Sequence, residues 1–157
     1  MTFTHLDSAG HASMVDVTEK QPTVRAATAR GFVRCAPETV ALLRDGSVPK
    51  GDVLAVSRIA GIQAAKRTPE LLPLAHVIGV HGAVVDLDIE DEGVAIEATV
   101  RTADRTGVEM EALTAVSVAA LSVIDMIKVV DKSASIEHLR ITAKEGGRSG
   151  SWRRPGE

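Results

Sequence analysis

The chain has 157 residues, of which 45% are apolar and 25% charged, a composition typical of one globular domain. Its net charge is −3 and its only aromatic residues are two phenylalanines and one tryptophan. It therefore lacks the positive charge and the stacking rings on which general nucleic-acid binding depends. Cys35 is the single cysteine, which excludes an internal disulfide and a cysteine-cluster zinc site and favours a reducing, cytoplasmic location.

The two ends of the sequence differ from its middle. Residues 1–13 are polar and lack the basic flank and apolar run of an export signal, and the residues after Glu145 are rich in Gly, Ser, Arg and Pro. The longest stretch without Asp, Glu, Lys or Arg, 71–85, is shorter than the ~20 residues of a membrane span. We therefore predict one folded unit from about Val15 to Ala143, flexible segments at 1–13 and 151–157, and no membrane span.

The first half of this unit predicts one strand and two helices. Residues 24–34 are compatible with a β-strand, and Pro37 begins a short helix that Gly46 closes. Apolar residues recur at helical spacing over 51–67, and two basic residues at the end of this segment provide the charge that a helix carboxyl end favours.

The second half predicts a hairpin, a long helix and a last strand. Apolar and acidic residues alternate over 85–90, a turn follows, and the alternation resumes over 94–100, which indicates an antiparallel hairpin with one solvent-facing side. Residues 108–130 predict a long helix and residues 136–143 a strand. The order of strand, helices, hairpin, helix and strand predicts an α+β sandwich of the ferredoxin-like type.

The long helix is apolar on every side. Its apolar residues, spaced at about 100° each, surround the axis instead of forming one stripe. They are Leu113, Val116, Val118, Leu121, Val123, Ile124, Ile127, Val129 and Val130. One sheet covers only one face of a helix, so this pattern predicts a second partner, most simply another copy of the chain, and hence an obligate homo-oligomer.

Two charged residues interrupt this apolar helix. Asp125 and Lys128 lie three positions apart and therefore share a face. They form either a structural ion pair or an acid and an amine for proton transfer. Charges in apolar surroundings are costly to desolvate, which favours a functional reason for their presence.

Other candidate site residues each allow two interpretations. Glu109 and Glu111 open the long helix, where carboxylates either complement the helix dipole or act as a base. His76, among apolar residues, is either a packed core histidine or a catalyst. Lys50, before a helix, and Lys144, before a Gly-rich segment, are either phosphate-binding cations or solvated charges.

Six segments taken together resemble the MoaC family of molybdenum cofactor biosynthesis. They are MVDVTEK at 14–20, KGDVL at 50–54, RIAGIQAAKRT at 58–68, TGVEMEALTA at 106–115, DMIK at 125–128 and GGRSG at 146–150. The resemblance runs in order from about Met14 to Gly150, and it implies a single catalytic domain over 14–150. It also implies a ferredoxin-like subunit in a hexamer, a trimer of dimers with sites shared between subunits.

The resemblance implies a reaction and assigns roles to residues. The family converts 3′,8-cyclo-7,8-dihydroguanosine 5′-triphosphate into cyclic pyranopterin monophosphate and pyrophosphate without a cofactor, and we assign no residue to a metal. Asp125 matches the catalytic acid/base, with Lys128 beside it. The substrate-contacting positions are Leu74, Ala75, His76, Met110 and Glu111, joined by Glu109, and the partners of the triphosphate are Lys50, Lys66 and Lys144.

The sequence departs from the family pattern at two places. Ala75 and Val77 flank the histidine where the family usually has Cys and Pro, and Ile127 replaces a Cys. Neither change removes a catalytic group, so we expect the activity to survive with a looser histidine loop.

Two other functions remain open at this point. One is a catalytically silent paralogue that binds a nucleotide or pterin as a regulator or partner subunit, and the other is a purely structural oligomer.

Overall fold

A sheet of five strands carries the helices on one of its faces in the computed structural model of the protein, which describes residues 5–157. The elements in chain order are β1 (Thr23–Arg34), α1 (Pro37–Arg44), α2 (Val53–Lys66), α3 (Thr68–Leu71), β2 (Gly82–Glu90), β3 (Gly93–Asp104), α4 (Glu109–Ile127), β4 (Ser135–Glu145) and β5 (Trp152–Arg153).

The strands lie in the order β2-β3-β1-β4-β5, and every neighbouring pair is antiparallel. β1 is central and pairs with β3 along its whole length, from Thr23 opposite Asp104 to Arg34 opposite Gly93. With helices after β1 and after β3, the first four strands form the ferredoxin-like α+β sandwich that the sequence predicts.

The two faces of the sheet differ in polarity because successive side chains of a strand point to opposite sides. In β1, Ala27, Ala29 and Val33 are buried on the face that packs against the helices. On the other face, Arg30 pairs with Glu97 and Arg34 with Glu137, in a layer of exposed ion pairs. The solvent-facing side predicted for the hairpin is part of this open face.

Helix α4 forms the centre of the core. It packs over β1, β3 and β4 and lies beside α2. The two helices approach closely at Gly61, where a side-chain carbon would lie 2.9 Å from the carbonyl oxygen of Ala115. The buried residues of α4 are Glu111, Ala112, Ala115, Val116, Ala119, Ala120, Val123, Met126 and Ile127.

Helix α4 is long and apolar enough to cross a membrane, judged by length and composition only. The prediction of no membrane span considered only residues 71–85 and therefore did not include this helix. Half of it is buried inside the fold, where it contacts three strands and α2. The core therefore accounts for the buried half of its apolar residues.

The predicted end of the long helix needs correction, and the fold also covers part of its apolar surface. The helix ends at Ile127, three residues before the predicted end, and the chain then turns, with the amide of Asp131 donating to the carbonyl of Ile127. In addition, α2 covers a second face of α4, so the chain itself buries much of the apolar surface that predicted a partner. Leu121 remains 57% exposed.

The ends of the chain carry local structure. The prediction of a flexible segment at 1–13 falls partly on residues 1–4, which lie outside the described residues; beyond them, Leu6 pairs with Ala12 in a short bridge. After residue 150, where the sequence predicts little packing, β5 pairs with the end of β4, and the Glu157 carboxylate accepts from Arg140. Flexibility of both ends in solution stays a prediction.

Candidate functional site

A pocket of about 470 Å³ lies at the amino-terminal end of α4. It is formed where the loop before α4 meets the segment after α3 and the amino-terminal segment of the chain. Six of the predicted site residues line it together: Leu74, Ala75, His76, Glu109, Met110 and Glu111.

The start of α4 positions the two glutamates. The helix begins at Glu109 without a side-chain cap, and Thr106 and Gly107 of the preceding loop also line the pocket. A side-chain carbon at Gly107 would overlap the Glu109 carboxylate, so the glycine leaves room for that group to turn back over the loop. The carboxylate forms an ion pair with the Lys144 ammonium, at 3.4 Å. Lys144 is thus a seventh predicted residue at this end of α4.

Glu111 is the buried acid of the pocket. It is only 3% exposed. Burial raises the pKa of its carboxyl group, and the negative charge of Glu109 raises it further, although its own backbone N–H and His76 oppose the shift. The protonated form of Glu111 is therefore favoured relative to an ordinary glutamate, a property suited to a proton-transferring group.

His76 is fixed by a backbone acceptor. Its Nε2 lies 2.6 Å from the carbonyl oxygen of Val15, and the ring is partly buried. His76 is therefore a partly buried residue of the pocket wall and not a residue packed in the core, and its catalytic role stays a prediction.

A second cluster lies at the carboxyl end of α4. Asp125 Oδ1 is 2.7 Å from Lys128 Nζ, and its Oδ2 is 3.2 Å from Lys50 Nζ. Lys50 also donates to the backbone carbonyl of Asp125 at 2.7 Å, one of the carbonyls left free at a helix end. The structure thus brings three predicted residues together here.

The prediction that Asp125 and Lys128 are embedded in apolar surroundings is wrong for the single chain. Both side chains are 59% exposed. They lie four and seven positions after the exposed Leu121, on the same exposed side of α4 and its carboxyl-terminal cap.

The lysines determine the charge state of Asp125. Hydrogen bonds from Lys128 and then Lys50, with the charges of both, hold the pKa of this carboxyl group below its usual value. At neutral pH Asp125 is therefore a carboxylate between two ammonium groups.

Lys66 belongs to neither cluster. It is the last residue of α2. The hydrogen bond between Ser57, near the start of α2, and Ser122, near the end of α4, shows that the two helices run antiparallel. Lys66 thus lies towards the amino end of α4, where its exposed side chain makes no hydrogen bond or ion pair within residues 5–157.

One chain does not bring the two clusters together. Glu111 and Asp125 are fourteen residues apart on one unbroken helix, which separates them by about 21 Å along its axis.

Part of the pocket wall consists of residues to which the sequence assigned no role. Val15, Val17 and Lys20 line the pocket beside His76. The available signal was the segment 14–20, which carried the resemblance but received no role.

A larger cleft of about 640 Å³ lies on the open face of the sheet, between side chains such as Arg30, Asp86 and Arg140, and it contains none of the predicted site residues. Within residues 5–157, no three His, Cys, Asp or Glu side chains are grouped to hold a metal ion.

Known proteins are similar to this chain over nearly its whole length. The model of the MoaC family matches residues 14–147. A protein of Streptomyces coelicolor is 60% identical over 97% of this chain and 89% of its own length, and one of Chloroflexus aurantiacus is 59% identical over 98% and 95%. A protein of Geobacter sulfurreducens is 53% identical over 98% of both chains. All three are named cyclic pyranopterin monophosphate synthase, and a match of this extent shows that the chain belongs to the MoaC family.

Proposed function

We propose that the protein is a cyclic pyranopterin monophosphate synthase, a lyase of molybdenum cofactor biosynthesis. It converts 3′,8-cyclo-7,8-dihydroguanosine 5′-triphosphate into cyclic pyranopterin monophosphate and pyrophosphate, in the cytoplasm and without a cofactor. Relatives that carry this name match nearly the whole chain. The observation that carries the proposal is the gathering of six expected substrate-contacting residues around one pocket.

The pocket at the amino end of α4 binds the organic part of the substrate. His76, Glu109 and Glu111 provide ring nitrogens and carboxyl oxygens that accept or donate protons, while Leu74 and Met110 provide apolar contacts. Rearrangement of a purine into a pterin requires several proton transfers, and a buried carboxyl group with a raised pKa is suited to one of them.

Asp125 is the principal acid/base of this proposal, with Lys128 beside it. Because Lys128 and Lys50 keep it ionised, Asp125 first acts as a proton acceptor and returns the proton later in the reaction. Its exposure in the single chain leaves the carboxylate accessible to a substrate.

Lysines provide the charge that the triphosphate requires. The protein as a whole is negative, so positive charge must be supplied locally where pyrophosphate leaves. Lys50 and Lys144 already pair with a carboxylate of each cluster, and Lys66 extends from the end of α2.

The active enzyme is a homo-oligomer, a hexamer built as a trimer of dimers, and each site takes one cluster from each of two chains. The separation of Glu111 from Asp125 supports this, because about 21 Å along a helix exceeds the reach of one small reacting centre. Exposed apolar side chains on the outer faces of α2 and α4 also support it: Val56 is 47% exposed, Ile59 67% and Leu121 57%.

One assay tests the proposed function. Purified protein is incubated with the cyclised nucleotide, and the pterin product and pyrophosphate are both quantified, with Asp125→Asn protein as the control. The proposal expects both products in equal amounts. Binding of the nucleotide without release of pyrophosphate would instead identify the silent paralogue, for which the replacements at Ala75 and Val77 are the only support.

A further inference from the structure

One hydrogen bond, made to His76, joins the amino-terminal segment 5–20 to the rest of the described protein. Within residues 5–157, every other hydrogen bond or ion pair of residues 5–20 joins two residues of that same segment, such as the turn in which Asp16 Oδ1 accepts from the amide of Thr18 at 2.9 Å. The contact of His76 Nε2 with the Val15 carbonyl, at 2.6 Å, is the exception.

This contact determines the tautomer of the ring. A carbonyl oxygen only accepts hydrogen bonds, so Nε2 must carry the hydrogen. In the neutral imidazole the lone pair is then on Nδ1, because the hydrogen bond of one ring nitrogen determines the protonation of the other. Nδ1 has no hydrogen-bond partner in the part of the chain that the structure describes, so nothing there competes for its lone pair.

We infer that the Val15 carbonyl is a positioning group for His76: it holds the Nε2–H tautomer and leaves Nδ1 as the nitrogen that exchanges a proton with the substrate. The Nδ1 lone pair takes a proton from the substrate, the ring becomes an imidazolium with hydrogen on both nitrogens, and the same nitrogen gives the proton back. The Nε2–H bond stays intact throughout, and the Val15 oxygen stabilises the cation.

The surroundings of the ring suit this role. Glu111 lies close enough to His76 for their charges to interact, and the pocket also contains Glu109, so carboxyl groups are available to balance an imidazolium. The proton-transfer part of this inference rests on the proposed function, whereas the tautomer does not.

The first experiment reads the tautomer directly. The full-length protein is labelled with ¹⁵N-histidine. The ring nitrogens are then observed by NMR at a pH high enough for the imidazole ring to be neutral. The signals of His76 among the five histidines are those absent from the spectrum of His76→Gln protein. We expect hydrogen on Nε2 and a non-protonated Nδ1. Hydrogen on Nδ1 would overturn the inference, whether or not the protein makes the pterin.

The second experiment separates proton exchange from a tie that only holds the segment. Glutamine at position 76 places an amide N–H close to the position of Nε2, so it donates to the Val15 carbonyl but has no basic nitrogen. We expect both His76→Gln and His76→Ala to lose at least ~100-fold in turnover, while trypsin cleaves His76→Gln protein after Lys20 at the wild-type rate. Restored turnover in His76→Gln would show that Nδ1 is not required and would overturn the inference. Absence of turnover in the wild-type protein would instead reject the proposed function and leave the tautomer result standing.

Discussion

Glu111 and Asp125 lie at opposite ends of the same unbroken helix, and each belongs to a different cluster of charged residues. Glu111 is buried beside His76 and its pKa is raised by that burial, whereas Asp125 is exposed and its pKa is lowered by Lys128 and Lys50. The pKa values of the two carboxyl groups of one chain are thus shifted in opposite directions. Helix α4 keeps the two groups about 21 Å apart.

A mixture of two inactive variants should regain activity if sites are shared. Glu111→Gln and Asp125→Asn proteins are each prepared, unfolded together and refolded. In a mixed twofold dimer one site collects both changes and the other collects neither, so random pairing leaves roughly a quarter of all sites intact. Turnover is compared with refolded wild-type protein, and mixed oligomers are confirmed by mass. No activity in confirmed mixtures would show that each chain builds its own site.

Asp125→Asn should abolish turnover without weakening the fold. The side chain is exposed, and surface ion pairs contribute only about 0–1 kcal/mol, so we expect an unfolding temperature close to wild type. Loss of a general acid/base should reduce turnover at least ~100-fold. Asp91→Asn is the matched control, because Asp91 forms an exposed ion pair with Arg44, which belongs to neither cluster. Near-normal turnover in folded Asp125→Asn protein would remove Asp125 from the mechanism.

Lys50→Ala and Lys144→Ala should weaken substrate binding and reduce its dependence on salt. Salt screens the attraction between an ammonium group and the triphosphate, so removing that group removes part of the screened energy. Substrate affinity is measured across a series of ionic strengths. Arg44→Ala, which removes an exposed cation that pairs with Asp91 and with no residue of either cluster, should keep the wild-type slope. Unchanged slopes for both lysine variants would place them outside the site.

Gly61→Ala should destabilise the fold by about 1–3 kcal/mol, the usual cost of overpacking a core. The added carbon would lie 2.9 Å from the Ala115 carbonyl oxygen, and this backbone atom cannot move without shifting α4. Gly82→Ala is the control, because its added carbon would meet only Arg101, at 3.8 Å. Denaturant unfolding measures both. A Gly61→Ala protein as stable as wild type would mean that α2 and α4 are packed less closely than described.

Cys35 should resist alkylation in the native protein. The residue is 8% exposed, and burial, with the nearby charge of Asp131, raises the pKa of its thiol to about 11 from an ordinary 9.0. The reactive thiolate is therefore about 100-fold scarcer at pH 8 than for an ordinary cysteine. Iodoacetamide labelling followed by mass spectrometry should show slow modification that becomes fast in denaturant. Equal rates in both states would contradict the buried position.

Local patterns in the sequence predict most of the fold. Alternation marked the β2–β3 hairpin, and helical spacing marked α2 and α4 to within a few residues, because these periodicities arise from the geometry of the elements themselves. The helix α3 and the strand β5 were missed, since four- and two-residue elements contain too few positions to show a period. The end of α4 was placed too late because Val129 and Val130 continue the apolar pattern beyond the point where the chain turns.

The sequence by itself determined the family, the order of the main elements and the residues to consider, because each is written in contiguous segments. Only the tertiary structure decided which of these residues meet. Lys144 reaches Glu109, Lys50 reaches Asp125, and the Val15 carbonyl reaches His76, all across long separations in the chain. It also decided that Asp125 is exposed, since burial depends on which face of α4 the sheet and α2 cover, and residue spacing on one helix does not determine that.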